Sequence, residues 1–310
     1  MIKILITDPI SEKGLKLLEE AGIMYDYRPD ISHEELMKII DKYDAVLVRG
    51  RTKVTKDVIE RGAKLRVIAR VGVGLDNIDV ETAKARGIKV INAGAATADS
   101  VAELTIGLMI ALARKIIFGD EALRRGFWAK NFCTGTELHG KTLGIIGVGN
   151  IGSRVARIAN ALGMNVIGYD KFLENAKRMT KMVGANVNFV SMENLLESSD
   201  IISIHVPLLP ETKHMISWDE VRKMKDGVLL INTARMELFD PEAIIWGLES
   251  GKIRGLAADT NLKPENPFVR KLLGFSNVIL TPHIGAQTKE AQERAAEVVI
   301  KTVIDLLREQ

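Results

Sequence analysis

The sequence predicts an α/β protein with two doubly wound parallel sheets, and three observations lead to that fold class. Short apolar segments alternate with amphipathic ones from the first residues, as in sheets that helices cover on both faces. A glycine-rich loop of the kind that ordinarily opens a domain stands near the middle, at residues 147–152. The 310 residues suffice for two domains. The residues before the loop must therefore build a domain of their own.

The first domain is predicted from strands that alternate with helices. Apolar runs predict strands at Ile4–Thr7, Ala45–Val48, Val67–Ala69 and Val90–Asn92. Helical patterns between the strands cover Ser11–Ala21, His33–Lys42, Lys56–Arg61 and Val80–Arg86. Glycines then stand where helices commonly end, at Gly22, Gly62 and Gly87.

A long apolar helix is predicted next, over Val101–Phe118 with Ser100 as its N-terminal cap. It is apolar on most sides and must therefore be buried. A second subunit is one candidate for what covers it, so we expect a homo-oligomer, a dimer or a tetramer.

The second half of the chain repeats the alternation. Strands are predicted near Asn165–Tyr169, Val187–Val190, Ile201–His205, Val228–Asn232, Gly255–Ala258 and Val278–Thr281. The last helix, Lys289–Leu307, has no strand after it and is expected to cross back to the first domain. The predicted domains are thus residues 1–97 with 288–310, and residues 98–287.

The glycine loop has the spacing of a dinucleotide-binding turn. Gly147 provides the tight turn after a strand, Gly149 allows the backbone to approach a pyrophosphate, and Gly152 lets the next helix pack closely. Asp170 ends the following apolar run, where a carboxylate binds the ribose hydroxyls of NAD and repels the 2′-phosphate of NADP. The sequence therefore predicts an NAD site, with a structural glycine turn as the alternative.

Reactive side chains stand at the ends of three later strands, where open α/β sheets bind ligands. These ends are His205-Val206-Pro207, Asn232-Thr233-Ala234-Arg235 and Thr281-Pro282-His283-Ile284-Gly285. A histidine at one strand end is commonly structural. An arginine and a histidine together beside a nicotinamide supply what oxidation of a 2-hydroxy acid needs, a cation for the carboxylate and a group that exchanges the hydroxyl proton. Such a histidine needs a carboxylate partner.

A second glycine loop, Arg70–Asp79, follows the strand at Val67–Ala69 and lacks a third glycine in register. It is either a tight turn or an anion nest, in which backbone N–H groups face a small carboxylate.

Composition excludes several other classes. The net charge is only +3, without a basic run, so nucleic acid is not an expected partner. No segment is apolar enough to span a membrane, and the N-terminus lacks signal-peptide character, so we expect a cytoplasmic protein. Cys133 is the single cysteine and is interpreted as incidental. No metal site is expected.

The chain resembles the D-isomer-specific 2-hydroxyacid dehydrogenases over almost its whole length. The motifs that carry the resemblance are Arg70–Asp79, Ser100–Met109, the glycine loop with Asp170, His205–Leu208, Asn232–Arg235 and Thr281–Ala286. Val48-Arg49, Thr52–Thr55, Gly135–Leu138 and Pro207–Thr212 resemble the short-form phosphoglycerate dehydrogenases of that family, which lack a C-terminal ACT domain. The resemblance implies a flavodoxin-like substrate domain and a Rossmann NAD domain.

The resemblance also implies residue roles. His283 is the expected general acid/base, Arg235 binds the substrate carboxylate and C2 oxygen, and Asp259 hydrogen-bonds the nicotinamide carboxamide. The substrate is expected to contact Arg49, Val73, Gly74 and, from a neighbouring subunit, Lys130. Cofactor contacts are expected from Gly147, Gly149, Asn150, Ile151, Gly152, Asp170, His205, Val206, Pro207, Thr212, Thr233, Ala234, Asp259 and Gly285.

Two loops depart from the family pattern. Arg235 precedes Met236-Glu237, where the family ordinarily has glycine. Counting from Asp259, the place of the catalytic glutamate falls on Pro264, one residue before Glu265. Glu265 is therefore either the partner of His283, after a one-residue shift, or a solvated surface glutamate.

The expected function is NAD-dependent oxidation of D-3-phosphoglycerate to 3-phosphohydroxypyruvate, a step of serine biosynthesis. A glyoxylate or hydroxypyruvate reductase, and an NAD-binding paralogue with impaired catalysis, are the alternatives.

Overall fold

The computed structural model describes residues 2–309, which fold into two compact units. The first unit consists of the residues up to Thr97 together with those from Ala286 onward, and the second is Ala98–Gly285. Across the described residues, no helix combines the length and the apolar character needed to cross a membrane.

The strands are β1 (Lys3–Ile6), β2 (Met24–Tyr27), β3 (Ala45–Val48), β4 (Val67–Arg70), β5 (Lys89–Asn92), β6 (Thr142–Ile146), β7 (Asn165–Tyr169), β8 (Asn188–Phe189), β9 (Ile201–Ile204), β10 (Val228–Asn232), β11 (Ile253–Asp259) and β12 (Val278–Thr281). The α-helices are α1 (Glu12–Glu20), α2 (His33–Ile39), α3 (Lys56–Arg61), α4 (Val80–Ala85), α5 (Ala98–Ala113), α6 (Ile116–Arg124), α7 (Asn150–Ala161), α8 (Leu173–Val183), α9 (Met192–Ser198), α10 (Trp218–Lys223), α11 (Pro241–Glu249), α12 (Pro267–Leu272) and α13 (Lys289–Arg308).

The first unit has a five-stranded parallel sheet in the order β2-β1-β3-β4-β5. Its central strands are buried on both faces, which is why they read as continuous apolar runs. One face packs against α13, whose Ala296, Val299 and Ile300 are fully buried among strand residues that include Ile4 and Ile6. The C-terminal helix is thus part of the core of the first unit.

The second unit has a seven-stranded parallel sheet in the order β12-β11-β10-β9-β6-β7-β8. The strand order reverses between β6 and β9, so the glycine loop after β6 lies at the switch point where such sheets bind ligands. Two all-parallel sheets confirm the predicted fold class.

The prediction for the helix after Thr97 was wrong in its start and in its end. The helix starts at Ala98, so Ser100 lies inside its first turn and is not a cap. It ends at Ala113, because Lys115 has a left-handed backbone with φ of 51°, and a separate helix, α6, follows. Its predicted burial is confirmed, since Ala102, Ile106 and other apolar residues of α5 are buried against the sheet of its own unit. Burial of α5 therefore does not require a second subunit.

Candidate active site

The glycine loop between β6 and α7 is shaped by close backbone contacts. Gly147 has φ of +89°, and a Cβ there would lie 2.9 Å from the carbonyl oxygen of His205. A Cβ on Gly152 would lie 2.2 Å from the carbonyl oxygen of Gly147. A Cβ on Gly149, by contrast, would meet no atom of the described residues within 4 Å. Gly147 and Gly152 are required by the fold itself, whereas Gly149 leaves open space beside the backbone.

Asp170 follows β7 and is fixed beside this loop. Its Oδ2 accepts a hydrogen bond from the Val148 N–H at 2.8 Å, and its Oδ1 accepts one from the Phe172 N–H at 2.7 Å. Each oxygen of a carboxylate has a second acceptor position, so the group can still receive ribose hydroxyls. The carboxylate is held at the end of the strand next to β6, where the dinucleotide pattern places it.

His205 follows β9 and has a buried imidazole ring. Its Nε2 lies 2.8 Å from Ser203 Oγ, while its buried Nδ1 has no hydrogen-bond partner within residues 2–309. Burial lowers the pKa of His205 to about 3, so the ring is neutral at physiological pH. In the loop that follows, Thr212 Oγ1 donates to the Pro207 carbonyl at 2.7 Å and accepts from the Leu209 N–H at 2.8 Å. A neutral histidine and a closed turn thus border the glycine loop.

Arg235 lies three residues beyond the end of β10. Buried Asn232 organises this turn, since its Oδ1 accepts from the Ala234 N–H at 2.9 Å and its Nδ2 donates to the Arg235 carbonyl at 2.8 Å. Thr233 is buried, with its hydroxyl 2.9 Å from that of Thr105 on α5. The backbone that carries the Arg235 guanidinium is therefore anchored to the sheet and to α5.

Asp259 ends β11 and binds the loop that carries His283. Its buried carboxylate accepts hydrogen bonds from the Thr281 hydroxyl at 2.6 Å, the Ile284 N–H at 2.8 Å and the Gly285 N–H at 2.7 Å. His283 is exposed and has a left-handed backbone with φ of 55°, which is uncommon for a residue other than glycine. Three bonds to donors on both sides of His283 hold the loop in this conformation.

Ser100 adds a further restraint on the same loop. Its hydroxyl donates to the Gly285 carbonyl at 2.6 Å. A Cβ on Gly285 would lie 3.1 Å from Asp259 Oδ2 and 3.3 Å from Val101. The serine predicted as a helix cap instead fixes the end of the histidine loop.

Arg235, Asp259 and His283 thus follow three adjacent parallel strands, β10, β11 and β12, at the edge of the sheet that also carries the glycine loop. A family model described as "D-isomer specific 2-hydroxyacid dehydrogenase, NAD binding domain" matches residues 106–285. The chain belongs to this family. Its second unit carries the NAD-binding domain, and NAD is its cofactor.

Relatives that are named for different activities have nearly the same sequence identity to this chain. A D-3-phosphoglycerate dehydrogenase from Methanocaldococcus jannaschii is 44% identical over 308 residues, which cover 99% of this chain and 58% of that protein. A hydroxypyruvate reductase from Thermotoga maritima is 45% identical over 300 residues, 96% of each protein. The structure of a glyoxylate reductase from Paecilomyes thermophila superposes with a TM-score of 0.86 at 29% identity, over 97% of this chain and 94% of that one. The chain spans little more than half of the phosphoglycerate dehydrogenases that it matches.

Glu265 lies on the surface of the second unit. It belongs to the loop between β11 and α12. Pro264, the position that counting gives for the family glutamate, is also exposed. Met236 and Glu237, the other departure, form part of a short 3₁₀ turn, Met236–Leu238, whose apolar residues are buried.

The predicted substrate residues of the first unit lie on loops that follow β3 and β4. The Arg49 N–H donates to Asp8 Oδ2 at 2.6 Å. The carbonyls of Val73 and Gly74 accept hydrogen bonds from Asn92 Nδ2, at 2.6 Å, and from the Arg70 guanidinium, respectively. Their own N–H groups donate to no group in residues 2–309. In the second unit, Lys130 is exposed in the 3₁₀ turn Lys130–Phe132.

Sequence reasoning missed four side chains that hydrogen-bond to the predicted site residues or their neighbours. Ser203 bonds to His205, Asn232 to the Arg235 carbonyl, Asn92 to the Val73 carbonyl and Asn261 to the Met236 N–H. In the sequence these residues stand out only as polar residues near the ends of predicted strands. No group of three or more potential metal ligands occurs among the residues that the structure describes.

Proposed function

We propose that the protein catalyses the NAD-dependent oxidoreduction of a D-2-hydroxy acid. The observation that carries the proposal is the alignment of Arg235, Asp259 and His283 on consecutive strand ends of the NAD-binding unit. Bound NAD supplies the hydride acceptor at the nicotinamide. His283 takes the hydroxyl proton as the hydride leaves C2, and Arg235 binds the carboxylate and stabilises the negative charge on the C2 oxygen.

The roles of Asp259 and Glu265 follow from this assignment. Asp259 keeps the histidine loop in place and is proposed to bind the nicotinamide carboxamide with its remaining acceptor capacity. Glu265, which is exposed, is the proposed carboxylate partner of His283. In that case Glu265→Gln lowers the pKa of His283 and shifts the acidic limb of the pH profile for hydroxy-acid oxidation to lower pH.

D-3-phosphoglycerate is the proposed substrate, which would place the enzyme in serine biosynthesis. Arg49 is the proposed phosphate ligand, together with Lys130 of a neighbouring subunit. The backbone N–H groups of Val73 and Gly74 are proposed to receive the substrate carboxylate. Arg51 is less suited to that role, because its guanidinium donates to the carbonyls of Thr7 and Ile31 and pairs with Asp8.

Hydroxypyruvate and glyoxylate reduction is the second candidate. It is supported by the Thermotoga maritima hydroxypyruvate reductase, which is 45% identical to this chain over 300 residues.

The deciding experiment compares NADH formation from 3-phosphoglycerate at mildly alkaline pH with NADH oxidation by hydroxypyruvate and by glyoxylate. Wild type, His283→Ala and Arg49→Glu are measured side by side. Turnover that is lost in His283→Ala establishes the reaction class and the acid/base role. A KM that rises only for the phosphorylated acid in Arg49→Glu supports the phosphate assignment. NADH binding without turnover of any of the three favours a paralogue with impaired catalysis.

We also propose that the protein is a homo-oligomer, a dimer or a tetramer. The support is an apolar surface on and after α6, where Leu123, Phe127, Trp128 and Phe132 are each more than half exposed. Lys130 lies within this surface. Sedimentation should give at least a dimer for wild type, and Trp128→Asp should shift the protein toward the monomer.

A further inference from the structure

A pair of polar side chains joins the loop after β10 to the loop after β11. Asn261 Oδ1 accepts a hydrogen bond from the Met236 N–H at 3.2 Å. Asn261 Nδ2 lies 3.2 Å from each carboxylate oxygen of Glu237. We call Asn261 and Glu237 the brace. Both residues belong to the two segments in which the chain departs from its family pattern.

The brace acts directly on the backbone of Arg235. The carbonyl of Arg235 accepts from Asn232 Nδ2 at 2.8 Å, and the next N–H, that of Met236, donates to Asn261 at 3.2 Å. The peptide group after Arg235 is therefore held on both sides, by an asparagine at the end of its own strand and by one beyond the neighbouring strand. Two restraints on one peptide group fix the direction in which the Arg235 side chain leaves the backbone.

Glu237 determines which way the Asn261 amide faces. A carboxylate only accepts hydrogen bonds, so it requires the NH₂ end of the amide and leaves the oxygen for the Met236 N–H. Asn261 is exposed and Glu237 is partly exposed, so these bonds contribute little to global stability. Their effect is local, on the geometry of the arginine loop.

We propose that Asn261, oriented by Glu237, is a positioning residue that aligns Arg235 with the substrate carboxylate. This inference rests on the proposed function, in which Arg235 binds that carboxylate. Displacing a group that orients the substrate by about 1 Å can lower catalytic efficiency by roughly a hundredfold. The brace therefore affects recognition of the acid and leaves the cofactor site unchanged.

The test compares three variants of the full-length protein. Asn261→Ala removes the brace and should lower kcat/KM for the best of the three acids by about ten- to a hundredfold, largely through KM. Asn261→Asp should do the same, because two carboxylates then face each other. Asn261→Asp combined with Glu237→Gln restores a donor opposite an acceptor and should recover kcat/KM to within about threefold of wild type.

Three further measurements separate positioning from general damage. The Kd of NADH and the melting temperature should stay close to wild type in all variants. Oxalate, a dicarboxylate that Arg235 can bind without turnover, should bind the NADH complex of Asn261→Ala at least about tenfold more weakly. Asn277→Ala is the matched control, since Asn277 Nδ2 also bridges two segments, donating to the Arg254 carbonyl at 2.8 Å, but at the opposite edge of the sheet.

The proposal is overturned if Asn261→Ala keeps kcat/KM and the oxalate Kd within twofold of wild type. The proposal is also overturned if Asn277→Ala loses as much kcat/KM as Asn261→Ala, or if the double variant does not recover kcat/KM. If the wild-type protein turns over none of the three acids, the proposed function is refuted. The oxalate Kd of Asn261→Ala still decides whether the brace positions Arg235.

Discussion

Replacing Gly152 by alanine should destabilise the NAD-binding unit, whereas the same change at Gly149 should not. A Cβ on Gly152 would lie 2.2 Å from the Gly147 carbonyl oxygen and 3.1 Å from Ile145 Cγ2, where an ordinary contact begins near 3.4 Å. The start of α7 must then move away from β6 by roughly an ångström, and overpacking of this kind costs about 2–3 kcal/mol. For a unit of this size that corresponds to a melting temperature lower by roughly 5–10 °C.

Gly149→Ala is the matched control on the same loop. Its Cβ meets no described atom within 4 Å and its φ is −85°, so the melting temperature should stay within about 2 °C of wild type. The dinucleotide-binding pattern predicts that the pyrophosphate approaches the backbone at Gly149, so NADH affinity should fall by about tenfold or more.

Scanning calorimetry and isothermal titration with NADH test both statements. Gly152→Ala melting within 1 °C of wild type would refute the packing argument, and Gly149→Ala binding NADH normally would refute the placement of the cofactor.

Three further predictions concern neighbouring groups. The Asp259 carboxylate accepts three hydrogen bonds, and an amide at this position has only one acceptor oxygen. Asp259→Asn should therefore lower the melting temperature by several degrees, as measured by calorimetry. His205 has a pKa of about 3 in the folded protein, against about 6.5 when unfolded. As pH falls, the unfolded chain therefore takes up the proton before the folded protein does, and the free energy of unfolding declines between about pH 6.5 and 3. His205→Asn should make that decline smaller, as measured by urea titrations at pH 7 and 4.5. Asp170→Ser should raise NADPH affinity relative to NADH in fluorescence titrations.

The glycine loop could be predicted because its requirements are local. One turn and one helix start fix the spacing of Gly147 and Gly152, so the spacing alone predicts the local structure. The residues at the strand ends could be predicted for a similar reason, since the alternation of strands and helices places them at one edge of the sheet.

The remaining features depend on distant partners or on weak local signals. Asp259 binds donors 22 to 26 residues further along the chain, and no spacing rule connects them. The break at Lys115 is hidden because apolar residues continue on both sides of it. Strand β2 was missed because it lies at the edge of its sheet and is partly exposed, with polar Asp26 at its centre.

The place of α13 in the core of the first unit has a consequence for the order of folding on the ribosome. Strands β1 to β5 leave the ribosome early, yet the helix that covers Ile4, Ile6 and Ala69 is synthesised only after residues 98–288. At about 5–20 residues per second, that interval lasts roughly 10–40 s, during which α1 covers this face of the sheet without α13. The NAD-binding unit is continuous in sequence and can close first. The nascent first unit therefore exposes apolar strand residues until α13 has been synthesised.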